Sequence, residues 1–193
     1  MKFILASHNK GKLAEMQKIL GELGVEVVLQ SDLGLDLEPE EDGATFTENA
    51  RIKARAVMEA SGLPAIADDS GLCVDALNGA PGVYSARYGG LDDDAARCRL
   101  LLQNMRGATN RAAHFHTSIC CAFPNGDMLT ADGDCHGTIA FAPMGERGFG
   151  YDPVFFVPDK RKTFAQLTAE EKAEISHRGK ALRAFKETLR NYL

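Results

Sequence analysis

Several features are missing from this sequence, and each absence narrows the reading. Its five cysteines (Cys73, Cys98, Cys120, Cys121, Cys135) are odd in number and show no C-x-x-C spacing, which argues against both a disulfide framework and a zinc site and predicts reduced, packing thiols. Positive charge is not in excess: 22 Lys and Arg stand against 27 Asp and Glu, a formal charge of −5. That balance disfavours a nucleic-acid binder, whose affinity would rest on neutralising many phosphates. No run reaches the roughly 18 apolar residues of a membrane span. Met1-Lys2-Phe3-Ile4-Leu5-Ala6 turns polar before the h-region of a signal peptide is complete. A cytoplasmic protein is expected, with neither membrane nor nucleic acid as a partner. Internal repeats, low-complexity tracts and a clear linker are also lacking.

What is present is an ordinary globular composition, 193 residues with 45% hydrophobic and 25% charged side chains, and the length predicts a single domain spanning 1–193. The run from Lys2 to Ala6, then Leu13, Met16, Leu20 and Leu23 at helical spacing, then Val25 to Leu29, reads as strand, helix, strand, a βαβ unit of an α/β protein. Residues 31–44 form an acidic loop. Thr45 and Glu48 have capping-box spacing and open a helix that Gly62 and Pro64 end. Pro64 to Ala67 and Leu72 to Leu77 predict two short strands interrupted by Asp68-Asp69-Ser70-Gly71. Asp92 to Met105 is a helix, and two long runs around Pro124-Asn125-Gly126-Asp127 predict a hairpin. The sheet is therefore expected to be mixed. A Gly-rich stretch over 142–152, a strand from Val154 to Val157 and helical pattern from Thr168 onward complete the chain.

Four segments can carry chemistry. Ser7-His8-Asn9-Lys10-Gly11-Lys12 joins the first strand to the first helix, where N–H groups and two lysines can grip an anion; by itself it reads rather as a solvated, capped helix start. It is not a Walker A loop, because Leu13 follows Lys12 where Ser or Thr is needed. Asp68 and Asp69 offer carboxylates to a hard cation such as Mg2+, with the acidic 38–42 loop as a second source, or else cap a polar turn. Gly148-Phe149-Gly150-Tyr151-Asp152-Pro153 can stack a ring on a base and accept from base nitrogens, or form a packed turn. Ser176-His177-Arg178-Gly179 opens the last helix as a cap with cations. His114 and His116, with no Cys or carboxylate nearby in sequence, are expected not to be ligands.

Taken in chain order, these segments, together with Gly79-Ala80-Pro81-Gly82-Val83-Tyr84-Ser85-Ala86-Arg87 and with Glu171-Lys172, closely resemble the non-standard purine NTP pyrophosphatase family, the bacterial relatives of inosine triphosphatase. The resemblance covers essentially the whole chain. It implies an elongated α/β fold with a central mixed sheet, helices flanking it and two lobes around a substrate cleft, usually as a homodimer. It also implies Mg2+ as cofactor and hydrolysis of ITP, dITP and XTP, small nucleoside triphosphates, to monophosphate and pyrophosphate. Position by position it matches Ser7, Asn9 and Lys12 to the phosphate-gripping loop, with Gly11 and the variable positions His8 and Lys10 counted in the same substrate-binding segment, Asp69 to the catalytic base and metal ligand, and Ser70 to a neighbouring substrate contact. Phe149, Gly150, Tyr151, Asp152, Lys172, His177 and Arg178 match the segments that surround the purine. Glu41 is the expected second metal carboxylate, chosen from Glu38, Glu40 and Glu41.

Overall fold

Strand β1 (Lys2–Leu5) has Phe3, Ile4 and Leu5 all buried, the signature of a strand covered on both faces, and it pairs in parallel with β2 (Glu26–Leu29). The expected βαβ unit is therefore present, with α1 (Lys10–Leu20) as its crossover. In this computed structural model, which describes all 193 residues, β1 also pairs in parallel with β3 (Ala65–Val74). Helix α2 (Phe46–Ser61) starts at the predicted capping box, Thr45 Oγ1 accepting from Glu48 N–H at 3.1 Å, and stops where Gly62 adopts a left-handed φ of 67°.

The sheet has seven strands in the order β2-β1-β3-β4-β5-β6-β7, where β4 is Ala112–Ala122, β5 Met128–Ile139, β6 Phe155–Val157 and β7 Lys162–Thr163. Parallel pairing on one side and antiparallel β5/β6/β7 pairing on the other make it mixed, as expected. Helix α3 (Asp94–Asn104) lies between β3 and β4 in sequence, and the chain ends in α4 (Ala169–Ile175) and α5 (His177–Tyr192).

Two boundaries differ from the sequence reading. The polar quartet Asp68 to Gly71 does not interrupt β3, because its carboxylates pair through Oδ1 with lysines from elsewhere in the chain. The single C-terminal helical pattern is broken at Ser176, whose ψ of 152° is extended and whose Oγ accepts from Gly179 N–H at 3.1 Å.

Two compact units result, to which β3, β4 and β5 each contribute residues: Met1–Asp69 with Thr117–Gly133 and Lys180–Leu193, and Ser70–His116 with Asp134–Gly179. The core of the first is built on Phe3, Leu5, Met16, Leu20, Phe185 and Leu189. That of the second gathers Leu72, Leu101, Phe115, Tyr151, Phe155 and Phe164. Each such buried side chain contributes about 1.5–3 kcal/mol relative to leaving it in water. All five cysteines are free and four are fully buried; burial pushes the Cys98 and Cys120 thiols up to about 11, so they are packing residues, as expected.

Candidate active site

Successive side chains of a strand leave on opposite faces, so the two adjacent carboxylates of β3 meet different partners. In the first unit, Asp68 is 2% exposed and its Oδ1 accepts from Lys12 Nζ, on α1, at 2.9 Å. Asp69 turns to Lys53 of α2, whose ammonium lies 3.4 Å from Asp69 Oδ1 and 3.3 Å from Glu41 Oε1, while donating to the Asp68 backbone carbonyl at 2.8 Å. One cation thus gathers two carboxylates. Glu41 is half-buried there, whereas Glu38 and Glu40 are exposed, so of the three loop carboxylates it is Glu41 that stands beside Asp69.

Burial pushes the Asp69 carboxyl above the ordinary carboxylate range; the Lys53 ammonium opposes this and the Glu41 charge adds to it. For Lys53, burial alone would favour the neutral amine, but Asp69, Glu41 and Asp68 outweigh it and hold the pKa above normal. Asp69 Oδ2 and Asn49 Nδ2 are both buried, and the Asn49 amide, like Lys53, eases the Asp69 carboxyl downward. No group of three or more His, Cys, Asp or Glu side chains is arranged to hold a metal ion in this protein.

The first motif forms the N-terminus of α1. Asn9 is its N-cap, with Oδ1 accepting from Gly11 and Lys12 N–H at 2.8 and 3.1 Å, and Ser7 Oγ accepts in turn from Asn9 N–H at 3.1 Å. A Cβ at Gly11 would stand 3.1 Å from Asn9 Oδ1, tight for a side chain. His8 faces Asp36 Oδ1 at 3.1 Å and Lys10 is exposed.

The second unit holds the remaining assigned residues. Asp152 is 3% exposed, and its Oδ2 accepts from Lys172 Nζ at 2.5 Å and from Phe149 N–H at 3.0 Å. Burial pushes this carboxyl above its ordinary value, against the pull of Lys172. Lys172 Nζ also lies 4.8 Å from the ring centroid of Phe149, which is 63% exposed. Gly148 has φ 77°, and a Cβ there would clash with the Asp152 carboxylate, so the turn requires glycine. His177 stacks on Phe115, with ring centroids 4.7 Å apart and planes 13° apart, and Phe115 stacks in turn on Phe164. Arg178 follows in the first turn of α5, and Ser70 is half-buried on β3.

Two expectations change. The Tyr151 ring is buried in the core and its hydroxyl donates to Ser85 O at 2.7 Å, so this side chain anchors the turn and presents no ring outward. His116 does have a carboxylate neighbour, Asp134 Oδ1 at 2.7 Å from Nδ1, brought by the adjacent strand and invisible in linear spacing. Lys53 and Asn49 went unrecognised in the sequence. Their signal is two polar residues four apart on the helix face that also buries Ala50, Ala54 and Val57.

A sequence model of the Ham1 family matches residues 3–188. The dITP/XTP pyrophosphatase of an Exiguobacterium species is 50% identical over 184 residues, 95% of this chain and 94% of that protein. The dITP/XTP pyrophosphatase of Thermus thermophilus is 50% identical over 193 residues, covering 99% and 93%. The solved structure of the Staphylococcus aureus Ham1 protein superposes with a TM-score of 0.94 at 41% identity over the whole of both chains.

Proposed function

The chain belongs to the Ham1 family, and on that basis we propose that it is a nucleoside triphosphate pyrophosphatase for non-standard purines, cutting ITP, dITP and XTP to the monophosphate and pyrophosphate and so clearing deaminated purines from the nucleotide pool. Relatives at about half identity over nearly the whole chain carry the dITP/XTP pyrophosphatase name. The observation that carries the reading is the convergence of Asp69 and Glu41 on one ammonium, with the Asp69 carboxylate buried.

That donor set suits Mg2+, which favours one or two carboxylates completed by waters and phosphate oxygens. Glu41 and Asp69 would hold it, and when bound it supplies charge neutralisation at the phosphates and a more acidic water. Asp69 holds the attacking water and takes its proton, the buried carboxylate being a stronger base than an exposed one. The water oxygen bonds to the α-phosphorus as the bond to the bridging oxygen breaks, and pyrophosphate departs. Lys12 and the N–H groups at the start of α1, with Ser7 and Asn9 shaping them, meet the charge of the leaving phosphates. Ser70 contacts the substrate beside Asp69. In the second unit Phe149, Asp152, Lys172, His177 and Arg178 engage the purine, the exposed ring stacking and the polar groups reading the base edge.

The deciding experiment is product analysis with ITP and Mg2+. IMP plus pyrophosphate is expected, abolished by EDTA and restored by Mg2+; IDP plus phosphate, or no turnover, would end the proposal. A homodimer in the cytoplasm is part of the same reading, and sedimentation at micromolar concentration tests the dimer. No helix of the chain is long and apolar enough to cross a membrane.

A further inference from the structure

The turn that carries Phe149 and Asp152 contains two glycines with left-handed φ, 77° at Gly148 and 60° at Gly150, and glycine backbone is the least restrained of any. A turn of this kind presents side chains accurately only if something outside it fixes its backbone. Gly150 N–H donates to Asp94 Oδ2 at 2.7 Å, and the Gly150 carbonyl accepts from the Cys98 thiol at 3.4 Å. Asp94 is held in turn by Arg97, whose guanidinium donates to Ala86 O at 2.9 Å and Leu91 O at 2.6 Å. One chain of polar contacts therefore runs from the 86–91 segment through Arg97 and Asp94 to the turn, all within the second unit.

Asp94 opens α3, yet capping the helix is not its task. The N-cap is Asp93, whose Oδ2 accepts from Ala96 N–H at 2.7 Å. Two adjacent carboxylates thus have separable roles, one holding the helix and the other holding the turn. The Gly150 N–H, with Arg97, keeps the Asp94 carboxyl below its usual range, so it stays ionised and makes a charge-assisted acceptor.

We propose that Asp94 is a positioning residue for base selection, fixing through the Gly150 N–H the turn on which Phe149 and Asp152 face the purine. This rests on the reading above that the turn engages the base. Loss of the tether loosens the turn, raises KM for ITP and erodes the preference for ITP over ATP, because misplaced polar groups discriminate poorly.

The test compares D94A, D94N and D93A with wild type in kcat and KM for ITP and ATP, in melting temperature, and in amide exchange across 148–152. D94A is expected to raise KM for ITP about tenfold, to cut the ITP to ATP preference about tenfold with kcat within about threefold, and to speed exchange of the turn. D94N retains an oxygen acceptor and recovers most of these losses. D93A lowers the melting temperature but leaves KM, preference and exchange within about twofold. Unchanged exchange and preference in D94A, or a D93A variant that reproduces its losses, overturns the proposal. Accelerated exchange in D94A together with a wild type that releases no pyrophosphate from ITP overturns the functional reading instead, and base selection by this turn with it.

Discussion

Lys53 Nζ stands 3.4 Å from Asp69 Oδ1 and 3.3 Å from Glu41 Oε1, so the cation that these two carboxylates face is one of the protein's own. An ammonium in that place competes with a metal ion for the same oxygens. Lys53→Met should therefore tighten Mg2+ binding to the nucleotide-free protein by about tenfold or more, since two nearby carboxylates lose their neutralising partner. It should also lower kcat/KM for ITP, because the ammonium that opposes the burial-driven rise of the Asp69 carboxyl is gone. Calorimetric titration with Mg2+ checks the first part, and weaker or unchanged affinity would show that the metal sits elsewhere.

Asp69→Asn should remove activity by about 10²-fold or more with the fold intact, because the change is nearly isosteric yet deletes the charge proposed to hold water and metal. Circular dichroism should be unaltered. A variant retaining more than about a tenth of the wild-type rate would take Asp69 out of the role of base.

Lys12→Ala has two effects that a second substitution separates. Lys12 pairs with Asp68, whose side chain is 1% exposed, and removing one partner of a buried pair costs about 2–4 kcal/mol. For a chain of this size that is a fall of about 5–15 °C in Tm. Adding Asp68→Asn removes the buried charge and should recover most of that loss. Triphosphate binding should stay weakened by about ten- to a hundredfold in both variants, with IMP affected much less, since Lys12 is proposed to meet the departing phosphates. Recovery of ITP affinity in the double variant, or equal weakening for ITP and IMP, would place Lys12 away from them.

The parts of the fold written in local periodicity were legible: the β1-α1-β2 unit, the capping box of α2 and the hairpin turn at 124–127 all rest on neighbours in sequence. Continuity of β3 through Asp68 and Asp69 was not, because the lysines that relieve its carboxylates come from two helices distant in the chain. Strand β7 is only Lys162–Thr163, too short for any alternation to register. The same contrast governs the site. Resemblance supplied Asp69, Lys12 and the Asp152 turn, whereas Lys53 reads as an ordinary exposed helix cation until packing shows its side chain 15% exposed among acids. Tyr151 sits within the right motif but faces the core, since neighbours on a tight turn point in different directions.

Base choice is the sharpest consequence of the second unit's geometry. Asp152 Oδ2 is already engaged by Lys172 and by Phe149 N–H, so the polar edge this pair would offer in the proposed purine site is dominated by donors, with Arg178 adding a further cation in the first turn of α5. Inosine and xanthine carry an oxygen at C6, an acceptor that such donors satisfy, whereas adenine presents an amino donor there. Two donors would then oppose each other, and a site built to bond one group rejects an analogue lacking it by up to about 10⁴–10⁵, or roughly 10²–10³ where water has access. ITP, dITP and XTP should therefore exceed ATP in kcat/KM by about 10²-fold or more, with ITP and dITP within a fewfold of each other because no assigned residue reads the 2′-hydroxyl. GTP shares the C6 oxygen and must be rejected, if at all, at its 2-amino group. Kinetics for all five nucleotides at one pH and magnesium concentration, repeated with Arg178→Ala, provide the check. An ATP value within tenfold of ITP, or an ITP to ATP ratio unmoved by Arg178→Ala, would remove this arginine from C6 readout and leave Lys172 as the donor to test next.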